Sequence, residues 1–208
     1  MLIDKKVSNF LDELASDAPT PGGGSVAALA GALGAALVSM VSNLTLGKEK
    51  YKGVEEEVKK ILGYSERLRY DLSQLIEEDI KAFNNFMATY KMPKETEAEK
   101  RIRSEKIQQN LVAAAKVPLQ VAFKCLDIFS LSEEIAQKGN PNIISDVGVA
   151  ILLAEAGLES AILNIKINLK MIKDEKVLME LKSAIQELIS QKQGKKEKIL
   201  KIVEEKIE

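Results

Sequence analysis

The chain has 208 residues, 46% of them hydrophobic and 29% charged, with a formal net charge of −1. That is enough apolar material for one sizeable core, and it leaves no overall basic field to hold nucleic acid or an anionic membrane. Histidine and tryptophan are both missing. Histidine triads and Glu-x-x-His metal sites are therefore excluded, and proton transfer must come from a carboxylate, Lys, Tyr, the one Cys or a substrate.

The N-terminal "MLIDKKVSNFLDELASD" is charged and amphipathic and lacks the apolar core of a signal peptide, which predicts a cytoplasmic protein. Within it Ile3, Val7, Phe10, Leu11 and Leu14 fall at helical spacing, so a first amphipathic helix is expected over about 3–15. A second helix is expected over 25–46, where Ala27, Gly31, Ala35 and Ser39 recur every four residues. No charge occurs between Ala18 and Gly47, a run long enough to span a bilayer. Its many small and polar residues, without an aromatic belt or flanking basic cluster, favour burial at the centre of a soluble bundle over a membrane span.

A long third helix is predicted over about 54–90 and ends before Pro93. Thr96 and Glu99 form a capping box for a helix over about 97–116; Pro118 is expected to kink or restart it before the pattern runs on to about 137. The lone Cys125, in apolar "VAFKCLDIF", is expected to be a buried, inert thiol. "GNPN" then breaks the chain, with Gly139 as C-terminal cap, Asn140 as N-cap and Pro141 in the first turn. An apolar helix follows over 143–171, and Asp174 caps a final charged helix to about 206 that Gly194 can interrupt. The expected fold is all-α: one domain over 1–208, an orthogonal or up-down bundle of six to eight helices around the small-residue helix.

Three constellations could carry chemistry. In the third helix Leu68, Leu72, Leu75, Asp79, Ala82 and Phe86 are spaced 4, 3, 4, 3 and 4, which puts Asp79 in an apolar seam. A carboxyl desolvated there can be kept protonated and serve as a general acid; the alternatives are a structural carboxylate paired with Lys or Arg, or a shifted register that leaves it exposed at a helix kink. The loop Pro21, Gly22, Gly23, Gly24, Ser25 can bring backbone amides close to a ligand, with Ser25 as helix cap, or simply form a packing corner. "GNPNIISD" gathers Asn140, Asn142, Ser145 and Asp146 at one helix start, where hydrogen bonding to a polar heterocycle and simple capping both fit. Farther on, Ser160, Asn164 and Asn168 make a polar stripe suited to a helix interface or a pocket wall, and Glu155, Glu159, Lys166 and Lys170 trace a charged face.

Taken together, "APTPGGGSVAALAGALGAAL", "EEDIKAF", "MPKETEAEK", "VPL", "GNPNIISD" and "NIKINL", in this order from about residue 5 to 175, resemble the formiminotetrahydrofolate cyclodeaminase and methenyltetrahydrofolate cyclohydrolase family. The resemblance implies an all-helical homodimer binding a tetrahydrofolate derivative near the subunit interface. It implies Asp79 as proton donor, with Pro21, Gly22, Gly23, Gly24, Ser25, Asn140, Asn142, Ser145 and Asp146 around the substrate. No metal or redox cofactor is implied. The expected reaction is conversion of 5-formiminotetrahydrofolate to 5,10-methenyltetrahydrofolate with release of ammonia, the substrate coming from a separate formiminotransferase. Hydrolysis of the methenyl bridge, or non-catalytic folate binding by a helical dimer, are the alternatives.

Overall fold

The computed structural model describes residues 2–208 and, among them, contains seven α-helices and no strand. They are α1 (Val7–Leu14), α2 (Gly23–Asn43), α3 (Glu55–Thr89), α4 (Glu97–Lys138), α5 (Ile144–Leu169), α6 (Glu175–Lys192) and α7 (Lys195–Ile207). Short 3-10 turns at Leu2–Asp4, Glu49–Val54 and Pro141–Ile143 join them. The all-α reading therefore holds.

Several boundaries follow from local chemistry. Thr96 accepts from the Glu99 amide at 3.2 Å while Glu99 accepts from the Thr96 amide at 2.9 Å, completing the expected capping box. Asp174 caps α6 by accepting from the amides of Lys176 and Val177. Gly194 turns between α6 and α7 with φ at +72°, a left-handed conformation that side-chain-bearing residues resist.

Two boundaries differ from expectation. Pro118 does not divide its helix: α4 runs unbroken for 42 residues, because its flanks Val117, Val121 and Ala122 are buried in the core and tertiary packing outweighs one lost hydrogen bond. Gly139 does end α4, yet with φ at −73° rather than in the left-handed cap. Its need for glycine is steric, since a Cβ there would lie 2.6 Å from the Ile135 carbonyl oxygen.

α2 is long and apolar enough to cross a membrane by composition, but it lies inside the bundle, packed mainly on α3 and α5 and also on α4. Glycines let it approach so closely. A Cβ on Gly34 would come 2.9 Å from the Ala150 carbonyl oxygen, and one on Gly157 would come 2.9 Å from both the Ala27 carbonyl oxygen and Cys125 Sγ. These contacts also set the register: residues 23, 27 and 34 of α2 face residues 164, 157 and 150 of α5, so the two helices run antiparallel. Cys125 is fully buried at this crossing and burial pushes its thiol up to about 12, the inert state expected.

The charged face of α5 is partly consumed in packing. Glu155 pairs with Lys196 at 3.0 Å, and Lys192 reaches both Glu155 and Glu159, tying α6 and α7 to α5. Lys206 of α7 donates to the carbonyls of Ala136 and Gln137 in the last turn of α4, where a cation also meets the negative end of the helix dipole.

Candidate active site

The first turn of α2 lacks a capping side chain of its own. Its N-cap is Gly22, so the amides of the first turn need partners from elsewhere. One comes from α3. The Asp79 carboxyl accepts at 2.9 Å through Oδ2 from the Ser25 hydroxyl, and the Ser25 backbone amide beside it also favours its charged form. Ser25 is thus not the helix cap expected from its sequence position; it lies inside the first turn, and Asp79 supplies the cap from 54 residues away.

This contact explains Gly24. A Cβ at that position would lie within 2.7 Å of the carbon and both oxygens of the Asp79 carboxyl group. The neighbouring glycine is under no such constraint, because a Cβ on Gly23 would meet Asn164 at an ordinary 3.5 Å. Only one of the two therefore has to be glycine to seat the carboxyl.

Asp79 is half-buried, and among the described residues no Lys or Arg forms an ion pair with it, so the ion-pair alternative is set aside. Burial raises its pKa above the ordinary 3.8, while the hydroxyl and amide of Ser25 act in the opposite direction and hold part of the rise back. Neighbouring Glu77 turns away and accepts from the Leu2 amide. The seam register thus singles out the carboxyl that the fold desolvates.

Around Asp79 lies a cleft of about 280 Å³. α3 contributes Asp79, Ala82, Phe83 and Phe86, one face at spacing 3, 1 and 3. The loop before α2 contributes Pro19, Thr20 and Gly22 to Gly24, α4 contributes Ala114 and Pro118, and α5 with the residues after it contributes Asn164, Ile167, Asn168 and Met171. Pro21, joined to Thr20 by a cis peptide bond, is buried behind the loop. The walls are largely apolar and aromatic, with a few polar groups from Asp79, the two asparagines, Thr20 and the loop backbone, the make-up of a small-molecule site.

A second groove, between α3 and α4, is lined by Arg67, Asp71, Lys124 and Asp127. Of these, Lys124 and Asp71 form an ion pair at 2.7 Å.

The "GNPNIISD" residues lie elsewhere in the chain's own fold. The Asn140 amide donates to Thr45 Oγ1 at 3.0 Å, and Asn140 Oδ1 accepts from the Asn142 amide and the Tyr51 hydroxyl. Asn140 thereby caps the Pro141–Ile143 turn against the far end of α2. Ser145 is exposed and Asp146 half-buried in the first turn of α5. The 21 residues of α2, about 32 Å at helical rise, separate this corner from Gly24 and Asp79. The fold of the chain therefore joins the glycine loop to Asp79 but not to Asn140, Asn142, Ser145 or Asp146. Conversely, Asn164 and Asn168 belong to the cleft, as do Phe83 and Phe86; the polar stripe was the signal for the first pair.

The sequence pattern of the formiminotransferase-cyclodeaminase family matches residues 6–187. The chain belongs to that family. Across 98% of both chains it is 46% identical to a methenyltetrahydrofolate cyclohydrolase of Methylorubrum extorquens. It is 34% identical to a formimidoyltransferase-cyclodeaminase of Rattus norvegicus over 91% of this chain, which spans only 36% of that longer protein. The crystal structure of a formiminotetrahydrofolate cyclodeaminase from Thermotoga maritima superposes with a TM-score of 0.89 over the whole of both chains, at 32% identity. This member of the family is thus similar to relatives named for two different reactions, and shares its fold with one named for the cyclodeaminase reaction.

Proposed function

We propose that this protein acts on the one-carbon unit of tetrahydrofolate and that it is a cyclodeaminase, converting 5-formiminotetrahydrofolate to 5,10-methenyltetrahydrofolate and ammonia. The observation that carries the reading is Asp79: a desolvated carboxyl without a cationic partner, at the wall of an apolar cleft. In the reaction, N10 attacks the formimino carbon, giving a tetrahedral adduct that carries an amino group. The N10 proton completes that amino group, protonated Asp79 donates a further proton to the same nitrogen, and ammonia departs as the N5 lone pair closes the methenyl bond, leaving the methenyl cation and the Asp79 carboxylate. Holding N10 against the carbon supplies much of the acceleration. The chain's own residues suffice for these steps, without metal or redox cofactor, and the cytoplasm is the expected location.

A second reading has a specific observation behind it. The 46% identical relative that matches end to end is named a cyclohydrolase. Hydrolysis of the methenyl bridge to 10-formyltetrahydrofolate passes through a similar tetrahedral carbon and again ends with a nitrogen, here N5, leaving with a proton. Incubating the purified protein separately with the two substrates divides the readings. Ammonia released in step with rising methenyl absorbance supports the cyclodeaminase. Loss of methenyl absorbance, with no ammonia from the formimino substrate, overturns it in favour of the hydrolase, and binding without turnover of either leaves a non-catalytic folate-binding protein.

We also propose a homodimer through α2 and α5. Leu33 and Met40 on α2, and Val149, Leu152, Leu163 and Ile167 on α5, are exposed side by side. α2 contains no charged residue at all, in a chain that is 29% charged. A two-fold axis perpendicular to these helices would lay residues 140–146 of a second copy beside the glycine loop. That is the arrangement in which Asn140, Asn142, Ser145 and Asp146 could meet the substrate. A separate formiminotransferase as supplier remains part of this proposal.

A further inference from the structure

The amides of Asn164 and Asn168 are set in one direction. Asn164 Nδ2 donates to the Ser160 carbonyl at 2.8 Å, and Asn168 Nδ2 donates to the Asn164 carbonyl at 2.9 Å. Each side chain has thus turned its NH2 group toward the backbone one turn earlier and spent one of its two N–H donors there, and among the described residues no donor reaches either Oδ1. Both residues line the cleft, one helical turn apart. The cleft wall therefore carries two amide oxygens whose acceptor capacity is unspent.

Pro118 has no N–H, so the carbonyl of Ala114, four residues earlier in α4, loses its helical partner. Ala114 and Pro118 both line the same cleft. With Phe83, Phe86, Ile167 and Met171 supplying apolar area, the cleft suits a flat heterocycle whose edge is rich in N–H donors.

We infer that Asn164 and Asn168 are specificity-determining residues that accept hydrogen bonds from the N–H edge of a reduced pterin and so select tetrahydro- over fully oxidised folate. The inference rests on the folate reading above and names the chemistry by which that site reads its ring. A tetrahydropterin presents a 2-amino group, N3–H and N8–H. In the oxidised ring N8 carries a lone pair instead of a hydrogen, and setting that lone pair against a fixed amide oxygen leaves two acceptors facing each other without a proton. Sites built to hydrogen-bond a donor discriminate strongly against ligands that lack it.

The test uses 5-formyltetrahydrofolate as a stable probe that keeps N8–H, with folic acid and the 2-desamino analogue of the probe as comparisons, binding being read by calorimetry. The wild type is expected to bind 5-formyltetrahydrofolate at least about tenfold more tightly than either comparison. N164A/N168A is expected to bring the folic acid and probe affinities close together, chiefly by weakening the probe, with its melting temperature near that of the wild type. N168D, which keeps acceptor oxygens, retains the preference. If the double variant binds with undiminished preference, the inference is overturned while the folate site stands. If that variant does not fold, the wild type decides alone: equal affinity for the probe and its 2-desamino analogue overturns the inference. Binding of none of the three ligands by the wild type defeats the folate reading itself, and this inference with it.

Discussion

Ser25 and Asp79, 54 residues apart in the chain, are joined by a hydrogen bond from hydroxyl to carboxyl at 2.9 Å, and the Ser25 backbone amide lies beside the same carboxyl. One interaction closes the open end of α2, holds α3 against it and fixes a carboxyl at the cleft wall. Both groups favour the charged carboxylate, so they oppose the burial that favours the neutral acid.

Removing the hydroxyl should therefore move a pH profile in a definite direction. If Asp79 donates a proton, kcat falls as pH rises through its pKa. In Ser25→Ala a hydrogen bond that lowers this pKa is gone, and the descending limb shifts to higher pH. A profile of kcat against pH for the two proteins checks it; a shift to lower pH would contradict the assignment.

Asp79→Asn separates chemistry from stability. Loss of a general acid lowers kcat by a factor of roughly 100 to 10,000. Stability should move the other way at neutral pH. The carboxyl's folded-state pKa lies above its ordinary 3.8, so its favourable contribution is complete below that value and is lost as pH rises through the folded pKa. The neutral asparagine escapes that loss, so its melting temperature should exceed the wild type's near neutrality, and the gap should close as pH falls toward 3.8. Thermal melts across pH measure this.

The two neighbouring glycines should respond differently. Gly24→Ala drives a methyl group into the Asp79 carboxyl and should cost roughly 100-fold in kcat/KM by displacing it. Gly23→Ala meets only ordinary contacts within the protein, so Asp79 keeps its seat and the pH profile of kcat should match the wild type's, any loss falling on KM because the residue lines the cleft.

A similar contrast applies to packing. Gly157→Ala would press on the Ala27 carbonyl, Cys125 Sγ and the Gly31 amide together, at a cost of about 1–3 kcal/mol. Gly63, exposed in the middle of α3 with nothing within 4 Å of an added Cβ, should gain about 1 kcal/mol on replacement by Ala. Urea titrations of both variants test the pair.

The apolar α2–α5 face predicts that the wild type sediments as a dimer. Leu152→Glu, which puts a charge into the middle of that face, should yield a monomer with unchanged helix content. A wild-type monomer at micromolar concentration in light scattering would contradict the pairing.

Much of this architecture was legible in local pattern. The seam that contains Asp79 follows from 3.6-residue periodicity, and the ends of α4, α6 and α7 follow from Thr96, Asp174 and Gly194, whose side chains or backbone act within a few residues. Ser25 was legible as a helix-start residue but not as the partner of Asp79, because a hydroxyl near a helix start looks the same whether it bonds forward in the chain or across to another helix. Pro118 carried the right local preference and lost to burial on both sides. Asn164 and Asn168 stood out as a polar stripe, yet only the helices around them distinguish a pocket wall from an interface.

By itself the sequence determined the helices, their caps, the buried register of α3 and the choice of Asp79, since each depends on residues within a turn or two of one another. Tertiary structure alone decided that the start of α2, the middle of α3 and the end of α5 meet at one cleft, and that the Asn140 corner lies a full helix away. The reason is that convergence depends on how α2 and α5 slide and cross, and their antiparallel register is set by close contacts at Gly34 and Gly157 with residues more than a hundred positions distant in the chain.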